Sequence, residues 1–173
     1  DCGNNRGGCF RHAGFDASLL KYIRGQTVPS CGIPRVPSTL WNAMVAPLLN
    51  LRFAAFFWYQ GESNADEPTL YSNCAVSMIR HWRADFVRTW SILDQHAPLA
   101  PPTPFIFVQL GPWPEQNSGL LPKMRQGQKK ALLMPKVGMV VAADLGDPAG
   151  IYHPIHSPFK AELGRRASLV AER

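Results

Sequence analysis

A run of apolar and aromatic side chains from Phe53 to Tyr59 stops abruptly at Gln60-Gly61-Glu62-Ser63-Asn64. The run is short, aromatic-rich and nearly free of charge, which suits a strand buried on both faces of a parallel sheet. The polar cluster then falls just past the strand's carboxyl end, where open α/β sheets place their ligands. One short segment therefore constrains both the architecture and the edge that carries chemistry.

The same pattern recurs downstream. Phe105 to Leu110 reads as a second buried strand ended by Gly111-Pro112, and Val137 to Ala143 as a third ending at Asp144. Amphipathic stretches separate them. Leu70, Cys74, Met78, Trp82, Phe86 and Trp90 recur every four residues, which predicts one apolar stripe on a long helix packed against the sheet. Leu121 to Leu133 and Lys160 to Val170 predict two more helices, the last with Phe159, Leu163, Ala167 and Val170 as its apolar face. A short helix from Leu40 to about Leu49 follows a capping Ser38 or Thr39. Pro29 to Ser38 and Pro98 to Pro104 read as connectors, and Asp1 to about Gly14 as loop. Strand and helix alternate, which implies right-handed crossovers, parallel strands and helices on both sheet faces. The expected class is α/β, a three-layer α/β/α sandwich around a parallel sheet.

Composition narrows the function classes. The 173 residues and 46% hydrophobic content suffice for one domain with a sizeable core. No apolar run approaches the roughly 20 residues of a membrane-spanning helix. The net charge of +6 comes from scattered basic residues, with no basic stripe or nucleic-acid motif, so no nucleic-acid partner is expected. The four cysteines, Cys2, Cys9, Cys31 and Cys74, form no C-x-x-C pair, and no histidine stands at zinc-finger spacing; no metal site is expected. Their even number permits disulfides and an exported setting. The first residue is Asp1, and Ala171-Glu172-Arg173 reads as a cut helix, so the chain is expected to be a fragment, incomplete at its N-terminus.

In a parallel sheet the polar residues at the strand carboxyl ends gather on one edge. They are Gln60 to Asn64, Gln109 with the Gly111 turn, and Asp144-Leu145-Gly146-Asp147; Tyr152-His153-Pro154-Ile155-His156 follows them. A histidine there suits a general base, and a nearby acid suits its orientation. Two readings of the first cluster compete. Gly61-Glu62-Ser63-Asn64-Ala65 fits a G-x-S-x-[GA] nucleophile elbow, and the order Ser63, Asp144, His156 fits an α/β-hydrolase. Against this, Pro68 marks a helix start several residues too late for a strand–Ser–helix turn. In the other reading the cluster is a supporting loop: Gln60 and Asn64 offer amide donors to an oxyanion, Gly61 allows close backbone approach, and Glu62 orients neighbours or a substrate hydroxyl.

At these residues the chain resembles the sialate O-acetylesterases of the SGNH hydrolase group. The resemblance rests on Leu40-Trp41-Asn42-Ala43-Met44, Trp58-Tyr59-Gln60-Gly61-Glu62-Ser63-Asn64, Phe105 to Leu110, Asp144-Leu145-Gly146-Asp147, and Ile155-His156 with Lys160 four residues on. It covers roughly Cys31 to Arg166 and implies a partial SGNH-type (flavodoxin-like) esterase domain over 31–173, with 1–30 unassigned and loop-rich. It further implies a serine esterase that removes O-acetyl groups from sialic acids or their glycans, without metal or organic cofactor, in a lysosomal or secreted setting. By resemblance His156 is the base, and Gln60, Gly61, Glu62 and Asn64 form a second active-site block; from its place at the strand end, Asp144 or Asp147 is the expected orienter of His156.

The chain departs from the pattern in three places. The family's nucleophilic serine lies in a G-Q-S-N-type loop upstream; Gly25-Gln26-Thr27-Val28 is the nearest echo and lacks serine. His153-Pro154 shows the family's His-Pro pair at another offset, which keeps His153 as a rival base. Asp1 to about Ser30 matches nothing in the family. The expectation is therefore half an active site with negligible esterase activity of its own. The alternatives are Ser63 as nucleophile and a non-catalytic carbohydrate-binding relic. A Cys31–Cys74 disulfide is compatible with export.

Overall fold

The computed structural model describes residues 41–93, 102–112, 119–147, 149 and 156–172, with the side chains of 90–93 excepted. The expected loop over 1–14, the Pro29–Ser38 connector, the Ser38 or Thr39 cap, the Gly25–Val28 echo and His153 lie outside these residues. Two compact units are distinguished, one of Asp1–Phe53 with Asn73–Pro101 and one of Ala54–Ser72 with Pro102–Arg173.

The second unit contains the sheet. Strands β1 (Phe56–Trp58), β2 (Phe105–Gln109) and β3 (Val137–Val141) run parallel in the order β1-β2-β3. Phe56 pairs with Phe105, and Phe105 with Val137, so side chains in register share a face. On one face Phe56, Phe105 and Phe107 form a ladder of rings with centroids 5.4 Å apart. On the other, Ile106, Val108, Val140 and Ala142 pack with Leu163 of the last helix, α3 (Lys160–Ala171), joined by Ala55, Tyr59, Ala167 and Val170. A Cβ on Gly138 would collide with Val170 Cγ1, so glycine is what lets α3 sit this close to β3. The parallel α/β expectation holds.

Local corrections have local causes. The Phe53–Tyr59 run yields only a three-residue strand, and Phe57 is 49% exposed rather than buried on both faces. β1 is the edge of the described sheet, and α3 covers β2 and β3. Phe159, expected on the apolar face of α3, is half exposed, because it stands at the helix N-cap, before the face that meets the sheet begins. The helix expected over Leu40–Leu49 is a π-helical turn (Trp41–Val45) followed by a 3-10 turn (Ala46–Leu48). Pro47 lacks the N–H an α-helix needs there, and its ring would strike the carbonyl one turn back.

The long amphipathic stretch forms α1 (Pro68–Leu93), which starts in the second unit and continues in the first. Its buried residues include Cys74, Met78 and Phe86 as expected, but also Tyr71, Ala75 and Ile79. A four-residue repeat drifts about 40° per step on a 3.6-residue helix, so the stripe leaves any single face and a neighbouring row completes it. Within the first unit Trp41 packs on Trp82 (5.9 Å) and Phe53 edge-on to Phe86 (5.4 Å). Cys74 is disulfide-bonded; a pairing with Cys31 lies outside the described residues.

The helix α2 (Leu120–Lys129) tightens into a 3-10 turn over Lys130–Leu133. Its Gln128, wholly buried, replaces a strand residue. In β2 the peptide groups of Val108 and Leu110 face β1, because Pro104, two steps before Ile106 in the same alternation, accepts from Phe56. β1 has ended by then. The Gln128 amide donates to the Val108 carbonyl and accepts from the Leu110 N–H, both at 3.0 Å, while Arg125 Nε donates to the Leu110 carbonyl at 2.8 Å. Side chains from α2 thus satisfy backbone groups that the short strand leaves open.

Candidate active-site cleft

The chain leaves β1 through a turn that only glycine fits. Gly61 has φ +146°, and a Cβ there would lie 2.8 Å from Met124 Cε and 3.3 Å from the Tyr71 ring. The close approach expected at this glycine is thus to protein. Tyr71, in the first turn of α1, donates its hydroxyl to the Gln60 carbonyl (2.7 Å) and accepts from Trp58 Nε1 (3.4 Å). Burial pushes the Tyr71 hydroxyl up to about 12, so it remains a neutral donor. The turn is clamped from behind, and Glu62–Asn64 closes it as one 3-10 turn.

This clamp presents Glu62 and Ser63 to a cleft of about 410 Å³, lined also by Tyr59, His156 and Lys160. The polar end of β1 and the segment entering α3 therefore share one concavity, as the edge argument required. Ser63 and His156 are exposed, and Glu62 is half-buried. Lys160 Nζ lies 4.5 Å above the centre of the Tyr59 ring. Burial, with a smaller contribution from the Glu62 charge, raises the Tyr59 hydroxyl above its ordinary range, so this wall is neutral at physiological pH.

The other expected site residues are not among those that line the cleft. Gln60 Nε2 donates to Asn64 Oδ1 at 2.7 Å, which fixes the Asn64 amide through its oxygen. Asp144 gives both carboxylate oxygens to Arg166 of α3, each at 2.6 Å; the hydrogen bonds from Arg166 hold it down to about 2. Arg166 also binds the Val141 carbonyl and Glu162. Asp144 thus ties β3 to α3 and does not line the cleft. Asp147 is half-buried just beyond it.

The elbow geometry is absent at Ser63. The serine sits inside the 3-10 turn, α1 begins only at Pro68, and among the described residues Lys136 is the one non-glycine with positive φ. Sequence reasoning passed over Tyr59, Tyr71 and Gln128, whose roles depend on burial, and gave Lys160 no role. The described residues contain no cluster of three or more His, Cys, Asp or Glu that could hold a metal, and no helix long and apolar enough to cross a membrane.

No protein-family model matches the chain. It is similar to sialate O-acetylesterases: 34% identical to that of Mus musculus over 166 residues, and 31% identical to that of Homo sapiens over 177 residues. Each alignment takes in 86% of this chain but 30% and 33% of those relatives, so the chain spans about a third of their length. Among solved structures it resembles a carbohydrate acetylesterase from Xanthomonas citri, with a TM-score of 0.67 and 30% identity over 93% of this chain and 33% of that one.

Proposed function

We propose that this chain, which belongs with the sialate O-acetylesterases it matches over 86% of its length, carries the substrate-holding and base side of an O-acetylesterase site. The observation that supports this is the single cleft in which Glu62 and Ser63 meet His156 and Lys160. The reaction is hydrolysis of an O-acetyl ester on a sialic acid or its glycan. In this reading His156 takes the proton from the attacking hydroxyl and returns it to the leaving sugar oxygen. Asn64, its oxygen tied down by Gln60, supplies N–H donors to the acyl oxygen, and Glu62 accepts a sugar hydroxyl. Asp147 is the better candidate to orient His156, since Asp144 is committed to Arg166. The lack of an elbow at Ser63 supports a nucleophile other than this serine. The disulfide at Cys74 favours an oxidising, lysosomal or secreted setting.

The test is a titration of the purified chain with O-acetylated sialic acid, followed by calorimetry, by histidine NMR and by acetate release. Saturable binding is expected, with the His156 ring resonances moving and acetate release near the uncatalysed rate. Absence of binding refutes the proposal. Rapid acetate release that disappears in Ser63→Ala makes Ser63 the nucleophile and overturns the half-site reading.

A further inference from the structure

Lys160 stands on the cleft wall as an uncommitted cation. It opens α3, where the positive end of the helix dipole makes a cation unfavourable by a few tenths of a kcal/mol or more. The nearest carboxylate along its own helix, two residues on, is Glu162, and both oxygens of Glu162 are taken by Arg165 and Arg166 at 2.7–2.9 Å. The cleft's own carboxylate, Glu62, makes no ion pair with Lys160. Among the described residues the side-chain partner of Lys160 is the face of Tyr59, which is neutral. A cation kept at a helix start, held over an aromatic wall and without a carboxylate partner among the described residues, is poised to receive an anion from solution.

We infer that Lys160 reads the carboxylate of the substrate and so selects acetylated acidic sugars over acetylated neutral ones. The inference rests on the O-acetylesterase reading of the same cleft. Sialates, by their chemistry, carry a carboxylate that is ionised at neutral pH, whereas a neutral acetylated sugar offers Lys160 nothing but hydroxyls. The two charges of the cleft then divide the ligand. The carboxylate lies toward α3, and Glu62, which would repel it, faces hydroxyls on the β1 side. Tyr59 already holds the Lys160 ammonium over its ring, so less side-chain freedom is lost when the anion arrives.

The test compares O-acetylated sialic acid with its methyl ester, which differs only in lacking the charge. Each is titrated into the wild-type chain, Lys160→Met and Lys160→Arg. The wild type is expected to bind the acid about three- to tenfold more tightly than the methyl ester at low salt, the range of a partly exposed charge-assisted contact. Lys160→Met should bind the two alike and Lys160→Arg should keep part of the preference. A purely structural Lys160 would weaken both ligands equally and leave their ratio unchanged. The inference is overturned if wild type shows no preference, or if the preference survives in Lys160→Met. Should Lys160→Met bind neither ligand, the wild-type preference decides: it must shrink as salt rises from roughly 50 to 500 mM, and a preference that does not shrink overturns the inference. Failure of both ligands to bind the wild type refutes instead the esterase reading on which this one stands.

Discussion

Gln128 gives the sharpest test of how the sheet edge is built. Gln128→Leu keeps most of the buried volume and removes both hydrogen bonds to β2, the one donated to the Val108 carbonyl and the one accepted from the Leu110 N–H. Val108 and Leu110 are themselves fully buried, so water does not readily replace the lost partners. Each orphaned backbone group costs about 1–3 kcal/mol, which puts the loss at about 2–6 kcal/mol for the pair. For a chain of this size that corresponds to a fall in Tm of roughly 4–24 °C. Urea unfolding followed by far-UV circular dichroism measures it, with the m-value unchanged if only stability is affected. Amide exchange at Leu110 should rise more than at Phe105 or Phe107, whose peptide groups face β3. Gln128→Glu sharpens the case: its carboxylate still accepts from Leu110 but opposes the Val108 carbonyl, so its deficit should shrink as pH falls and the carboxyl gains a donating proton. A loss below about 0.5 kcal/mol in Gln128→Leu, in the range of an unremarkable substitution, would refute the strand-replacement account.

Further predictions concern the site turn and its neighbourhood. Gly61→Ala should cost about 1–3 kcal/mol from the backbone conformation alone. Met124 Cε is the flexible tip of its side chain and can move, so Met124→Ala should not restore Gly61→Ala in a thermal melt; full rescue would show that crowding, not φ, demands glycine. Asp144 and Glu162 are both held down to about 2 by hydrogen bonds from arginines. A folded-state value below the usual 3.8 and 4.5 means these contacts stabilise fully above about pH 4.5 and fade as pH falls toward 2. The stability gap between wild type and Arg166→Gln should therefore be larger at pH 6 than at pH 2.5, and smaller in high salt because the groups are exposed; a gap independent of pH would contradict the pairing.

What was legible in the sequence followed from periodicity, and what was not followed from partners. The apolar runs placed β2 and β3 within two residues of their ends, because strands buried by flanking helices need continuous apolar sequence. The same rule misjudged Phe57, since a run of letters does not say which strand lies at the edge or how far a helix reaches across it. The long helix was legible in length, yet half of its buried row was not, because a four-residue repeat and a 3.6-residue helix part company within two turns. The site shows the limit most clearly. Gln60, Gly61, Glu62 and Asn64 are adjacent letters of one motif, but in space they divide: Glu62 faces the cleft, Gly61 is buried against Tyr71 and Met124, and Gln60 fixes Asn64. Asp144 and Lys160 exchange apparent importance for the same reason. An aspartate at a strand end reads as catalytic until Arg166 is found to hold both its oxygens, and a lysine opening a helix reads as surface until Glu162 is found already spent on Arg165 and Arg166. Both outcomes turn on one residue of α3. Arg166 joins Asp144 and Glu162 into one network, so among the described residues Lys160 is the cleft cation without a carboxylate partner, and the charge preference proposed for that cleft would follow from how α3 is anchored to β3.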